Sequence, residues 1–153
     1  MSAERFTLDA NVLVYAADLD SGWKRERAID ILDRANERDC VFTVQALGEF
    51  FFVTTRKGIV ANADAAALVN DWLTIFPSVT DSMSSLRAAM TAVAKTRLGF
   101  WDAMLLATAG EAGCSIVLSE GMQDGARFGG VTVRNPFAGA SLPKDVRDLL
   151  GLA

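Results

Sequence analysis

The chain has no histidine, only two cysteines, three prolines and a single tyrosine among its 153 residues. Without imidazole there can be no Ser-His-Asp or Cys-His nucleophilic catalysis, no histidine acid–base work and no imidazole-based metal site. Two cysteines alone cannot complete an ordinary zinc site, and Cys40 and Cys114 fall in or just before short apolar runs, where buried reduced thiols are expected. No apolar run approaches the roughly 20 residues of a membrane span. The opening MSAERF has neither a charged leader nor an apolar signal core, so the expectation is a cytoplasmic protein with no membrane contact. No glycine-rich nucleotide motif follows a strand, which removes the main support for a Rossmann or P-loop role. Cations are in deficit, 15 Lys and Arg against 19 Asp and Glu for a net charge of −4. That argues against a general basic surface for nucleic acid, but it permits a local basic rim working with a bound metal.

Carboxylate chemistry remains. Oxygen ligands suit magnesium or manganese, hard ions that keep several waters and bind beside phosphates. A chain of this length with 51% hydrophobic residues is expected to form one domain over residues 1–153 around a real core. Strands are expected at residues 5–8, 40–43, 77–79, 115–118 and 131–134, each short and bounded by turn or cap residues. Amphipathic helices lie between them, with Ala28, Ile31, Leu32 and Ala35 sharing one face. So do Ala65, Leu68, Val69 and Trp72, and then Leu86, Ala89, Met90 and Val93. The order reads β-α-α-β-α-α-β-α-α-β-α-β, followed by a short terminal helix in KDVRDLLGLA. This predicts an α/β fold, a mostly parallel sheet of about five strands with helices on both faces, and a site beyond the carboxyl ends of the strands.

Two acids stand out. Asp9 closes the apolar run Phe6-Thr7-Leu8 just before Asn11, where it could equally be an ordinary helix N-cap. Asp102 opens WDAMLLATAGEAG and shares a helical face with Leu105, Leu106 and Ala109. An acid in a first helical turn gains about 0.3–1 kcal/mol from the macrodipole, but that does not account for the apolar stripe behind it. A buried unpaired charge needs a cation, a donor network or a cleft. Glu49 lies in a helix made apolar nearly all round by Phe50, Phe51 and Phe52, with Val44, Leu47 and Phe51 on one face and Gln45, Glu49 and Arg56 on another. It must meet a polar cleft or be a solvated partner of Arg56. Glu120 and Asp124, flanking Gly121 after the fourth strand, either reach the strand-end site as metal ligands or stay in water. Lys24, Arg56, Lys57 and Arg97 are candidates for steering phosphates or plain surface charges.

Four segments, FTLDANVLVYAAD, TVQALGEFF, GFWDAMLLATA and LSEGMQDG, the last followed by VRNPF, resemble the PIN-domain nucleases and stand in that family's order. Within that family they are similar to the VapC-type toxins of bacterial toxin–antitoxin pairs. The resemblance spans residues 6 to 137. It implies an α/β/α sandwich, a Mg2+- or Mn2+-dependent endoribonuclease acting on RNA, and inhibition by a small cognate antitoxin. It carries Asp9, Glu49 and Asp102 over as the catalytic and metal-binding acids, with Asn11, Thr43 and Ser119 as polar support. In one respect the chain departs from the pattern: relatives usually place an acidic residue or Asn where this chain has Gly121. Either Glu120 or Asp124 substitutes, or a second metal is held poorly.

Two other readings stay open at this stage. One is a PIN fold kept for binding after its site decayed. The other is a phosphatase using Asp9 as nucleophile, though the second Asp expected two residues on is Asn11 here. The apolar excess, including Trp23, Trp72, Trp101 and Phe50 to Phe52, suggests a homodimer and an antitoxin groove.

Overall fold

The structure is a computed structural model and describes residues 4–152. Six strands, β1 (Phe6–Leu8), β2 (Phe42–Thr43), β3 (Ser78–Val79), β4 (Ile116–Leu118), β5 (Arg127–Phe128) and β6 (Val131–Arg134), are threaded by seven helices. The helices are α1 (Ala10–Ala17), α2 (Trp23–Ala35), α3 (Val44–Arg56), α4 (Asn62–Ile75), α5 (Met83–Lys95), α6 (Phe100–Glu111) and α7 (Lys144–Leu149). Strands β1, β4, β6 and β5 form one sheet in that order, and β2 and β3 form a second. A parallel bridge between Phe6 and Cys40 joins β1 to the segment leading into β2. The sheet is therefore read across as β3-β2-β1-β4-β6-β5, parallel except for β5 on β6.

Alternation along the strands assigns the two faces. Phe6, Leu8, Ile116 and Leu118 point to one side, where they pack in a single cluster with Val12 and Leu13 of α1, Ile31 of α2 and Val146 and Leu149 of α7. Val117, Val131 and Val133 point to the other, against Leu105, Leu106 and Ala109 of α6. Helix α5 in turn packs on α6. Helices thus cover both faces of a mostly parallel sheet, the α/β/α sandwich expected. Cys40 and Cys114 are buried and free.

The structure corrects four details. No helix lies between β4 and β6: turns and the two-residue β5 fill residues 119–130, and β5 returns on β6 as a hairpin through Gly129 and Gly130. In α3 the core face is Ala46, Leu47, Phe50 and Thr54, while Val44, Phe51 and Phe52 are exposed, because three consecutive phenylalanines span about 200° of a helix and cannot all face one core. On α5 only Ser85 and Ala89 are buried, so Leu86, Met90 and Val93 are left in solvent together with Met83. The terminal helix stops at Leu149, and Ala153, at the end of the expected KDVRDLLGLA helix, lies outside the described residues.

Candidate active site

Strand order places the site. From β1 the chain moves outward through β2 to β3 on one side, and then crosses to β4 on the other. The carboxyl ends of β1 and β4 therefore lie at a topological switch point, where loops diverge and leave a crevice. Leu8 is in register with Leu118, so the next residues, Asp9 and Ser119, stand side by side. The Asp9 amide donates to the Leu118 carbonyl at 2.9 Å and fixes that alignment.

Both ends of the Asp9 carboxylate are held. Oδ1 accepts from the Ala10 amide at 2.7 Å, capping α1, and Oδ2 accepts from the Ser119 hydroxyl at 2.7 Å. Ser119 Oγ in turn accepts from Asn11 Nδ2 at 3.2 Å and from the Gly121 amide at 3.0 Å, using its single donor and both lone pairs. Asn11 Oδ1 accepts from the Glu120 amide at 3.3 Å. Asp9 is thus both N-cap and buried acid, at 8% exposure. A cap contributes about 1 kcal/mol and Asn or Ser would supply it without charge, whereas burying a charge costs several kcal/mol. Capping alone does not account for an aspartate here. Burial pushes its carboxyl above the ordinary value, against the hydrogen bonds from Ser119 and Ala10 that pull it down.

Asp102 comes from the first turn of α6, a helix buried on every side from Ala103 to Ala109. It is not an amphipathic stripe that presents this acid but a core helix emerging at the cleft. Glu49 comes from α3 and is more open to solvent. Together Asp9, Glu49 and Asp102 line one cleft of about 390 Å³, with Asn11, Tyr15, Lys57 and Gly121 around them. Burial raises the Glu49 carboxyl, and the charges of Asp9 and Asp102 raise it further; Asp102 is raised by burial and by Asp9. Among the described residues no ion pair neutralises any of the three.

The other expected residues lie elsewhere or do other work. Thr43 is buried and caps α3, its hydroxyl accepting from the Ala46 amide at 3.1 Å. Glu120 turns away from the acids: it accepts from the Tyr15 hydroxyl and is paired with Lys24 Nζ at 2.7 Å. Burial works to raise its carboxyl, but the Lys24 and Tyr15 hydrogen bonds outweigh it and hold Glu120 below the ordinary value. Asp124 accepts from Arg134 at 3.0 Å and from the Asn135 amide at 2.9 Å. Neither replaces a carboxylate at Gly121. Lys24 is accordingly a partner of Glu120 rather than a free cation, and Arg56 lies over the Phe52 ring. Sequence reasoning overlooked Tyr15, although it is the only tyrosine and stands one turn beyond Asn11 on the same face of α1.

The donor set fits a hard divalent cation. Three carboxylates lining one cleft without an ion-pair partner offer hard oxygen ligands, and a cation would relieve their mutual repulsion. Among the described residues no three His, Cys, Asp or Glu side chains stand close enough together to hold a metal ion between them.

Comparison with known proteins identifies the family. The PIN domain family matches residues 6–123, most of the chain and all of the cleft. The chain belongs to the PIN domain family. No curated protein sequence matches this PIN domain significantly. Its fold is similar to that of VapBC2 from Rickettsia felis, solved bound to a promoter DNA fragment, with a TM-score of 0.63 at 11% identity over 86% of this chain and 98% of that one. A toxin–antitoxin complex from Klebsiella pneumoniae gives 0.60 at 20% identity, covering 82% and 94%. VapC20 of Mycobacterium tuberculosis, a sarcin–ricin loop cleaving toxin, gives 0.58 at 12% identity, covering 73% and 86%. In this PIN domain Gly121, among the residues lining the cleft, offers no side chain.

Proposed function

We propose that this PIN domain is a Mg2+- or Mn2+-dependent endoribonuclease and the toxin of a type II toxin–antitoxin pair. The observation that carries the reading is the convergence of Asp9, Glu49 and Asp102 on one cleft without a neutralising partner. The company of VapC and VapBC structures supports the biological role. Asp9 and Asp102 would hold the cation, with Glu49 a further ligand or an acceptor that orients water. A bound divalent ion supplies Lewis acidity and lowers the pKa of a bound water.

The chain's own residues prepare the reaction. Ser119 and Asn11 lock the orientation of Asp9, and Glu49 would accept a proton from the attacking water. Hydrolysis then needs no histidine. Lys57, at the edge of the cleft, offers a cation to a phosphate oxygen. The test is RNA cleavage with and without added Mn2+: Asp9→Asn and Asp102→Asn should each abolish metal-dependent cleavage while circular dichroism stays unchanged. Cleavage retained by both variants would reject the assignment.

The partner reading rests on two uncovered apolar faces. Val44, Phe51 and Leu73 line a groove of about 410 Å³ between α3 and α4, suited to a helix of a small antitoxin. Met83, Leu86, Met90 and Val93 along α5 suit a second copy of the chain. Among the described residues no helix is long and apolar enough to cross a membrane, and a cytoplasmic location fits the proposed role. A second reading has a specific observation behind it: with Gly121 bare and Glu120 and Asp124 engaged elsewhere, the site could hold one ion well and a second poorly. Protein that binds its partner yet neither binds Mn2+ nor cleaves RNA would establish the binding-only alternative.

A further inference from the structure

A second hollow adjoins the acid cleft. It encloses about 440 Å³ and shares Asp102 and Gly121 with the cleft as common wall. Its volume falls within the range of about 300–1,000 Å³ usual for small-molecule sites. The lining is of two kinds. Leu98, Met122 and Phe128 give an apolar floor, and Arg97, Gln123 and Arg127 stand exposed around it. Among the described residues neither arginine takes part in an ion pair. Two unpaired cations make this hollow a positive patch in a chain of net charge −4, so it attracts an anion, and with a cation bound among the three acids the two compartments together would do so.

Gly121 makes them one trough. A Cβ at this position would lie 3.3 Å from Asn11 Nδ2 and 3.8 Å from Ser119 Oγ, so any larger side chain would extend into the junction. The bare backbone keeps it open.

We propose that the second hollow is a nucleotide-selective subsite, receiving the base of the residue next to the scissile phosphate of a single-stranded RNA. The inference rests on the nuclease reading and extends it to substrate choice. An unpaired base has an apolar face and a hydrogen-bonding edge. In single-stranded RNA it is characteristically bound by stacking on aromatic rings or guanidinium planes, with polar side chains reading its edge. Phe128 and the arginines match the first requirement, Gln123 and the arginines the second. A double-stranded RNA could not deliver a base there, because its edges are held in pairs. Arg97 and Arg127 would therefore act as specificity-determining residues rather than as general phosphate attractors.

The test compares wild type with Arg97→Ala/Arg127→Ala and the charge-preserving Arg97→Lys/Arg127→Lys, all with Mn2+, on a pool of single-stranded RNAs of random sequence. Cleavage sites are read by sequencing, and kcat and KM are measured on one preferred oligonucleotide. Both arginines are exposed, so the fold should survive; circular dichroism checks it. The alanine variant should keep cleaving, lose its base preference at one position flanking the cut, and raise KM about tenfold. The lysine variant should recover part of KM but not the preference. An unchanged cleavage profile in the alanine variant, or full recovery of the preference by lysine, would overturn the subsite and leave the nuclease intact. Wild-type protein that cleaves no RNA would overturn both.

Discussion

Two hollows of this molecule are lined with acids, and they differ in nearly everything else. The larger, about 760 Å³, runs along the outer face of α2 past Glu26, Asp30, Asp33 and Glu37. Its acids alternate with Arg27 and Arg34 on a solvated helix, and Arg27 is committed to the carbonyls of Pro136, Gly139 and Ala140. The smaller, about 390 Å³, has three acids from three separate elements and no cation paired to any of them. Acid count and size favour the first hollow. Chemistry favours the second, because water and interleaved arginines screen a charge on the α2 surface, whereas Asp9 is withdrawn from water and its neighbours are of like charge. What matters is whether the fold has left a charge that only something from outside can satisfy.

The comparison breaks first, and most severely, at Asp9 and Asp102. Neutralising either to Asn should reduce Mn2+-dependent RNA cleavage to background, while Asp30→Asn with Asp33→Asn on α2 should leave it unchanged; loss of cleavage in the α2 variant would invert the assignment. Next in size is Ser119→Ala, which frees Asp9 Oδ2 and removes an acceptor from Asn11 and Gly121. It should cost about 10–100-fold in Mn2+ affinity or activity, measured by metal titration of a folded variant.

A smaller effect should appear in stability. Asp9 has an ordinary value of 3.8 and a raised one in the fold. The folded state therefore holds its proton where the unfolded chain has lost it, and stability falls as pH rises from about 3.8 through the folded value. Glu49 and Asp102 shift in the same direction. Asp9→Asn removes the term, so in EDTA its Tm should exceed that of wild type at neutral pH, with the gap closing on acidification. Added Mn2+ should close it from the other side by stabilising wild type alone. A variant less stable than wild type at pH 7 without metal would show that the carboxylate is structural.

The smallest expected change sharpens the comparison rather than breaking it. Gly121→Asp adds a fourth acid at the junction of the two hollows. Gly121 has no positive φ, and the 3.3 Å approach to Asn11 Nδ2 asks that side chain to move only slightly. Mn2+ affinity should rise modestly while the base preference of the adjoining hollow weakens; an affinity that falls would show that the cleft has no room for a further ligand.

Much of this could be read from the residues in order. The end of an apolar run marked Asp9 as an acid at a strand end, and the start of a long apolar helix marked Asp102. Alternation of short strands with helices pointed to the layered sheet. Glu120 and Asp124 could not be resolved the same way, since their fates depend on Lys24 and Tyr15, about a hundred residues distant, and on Arg134 across a hairpin. The hairpin was itself hidden, as a two-residue strand carries no periodicity. The faces of α3 and α5 were misjudged because helical spacing says which residues lie together, not how far a neighbouring element covers them.

The sequence by itself determined the chemistry on offer: with no histidine and two cysteines, carboxylate oxygens are the ligands this chain can bring to a metal, and local patterning marked Asp9 and Asp102 at the ends of core elements and Glu49 within a helix. Only the tertiary structure decided which acids stay uncompensated. Charge compensation is a matter of a few ångströms in space, set by strand order and by which lysine or arginine the fold brings within reach, and such distances between remote residues are written in no local stretch of the chain.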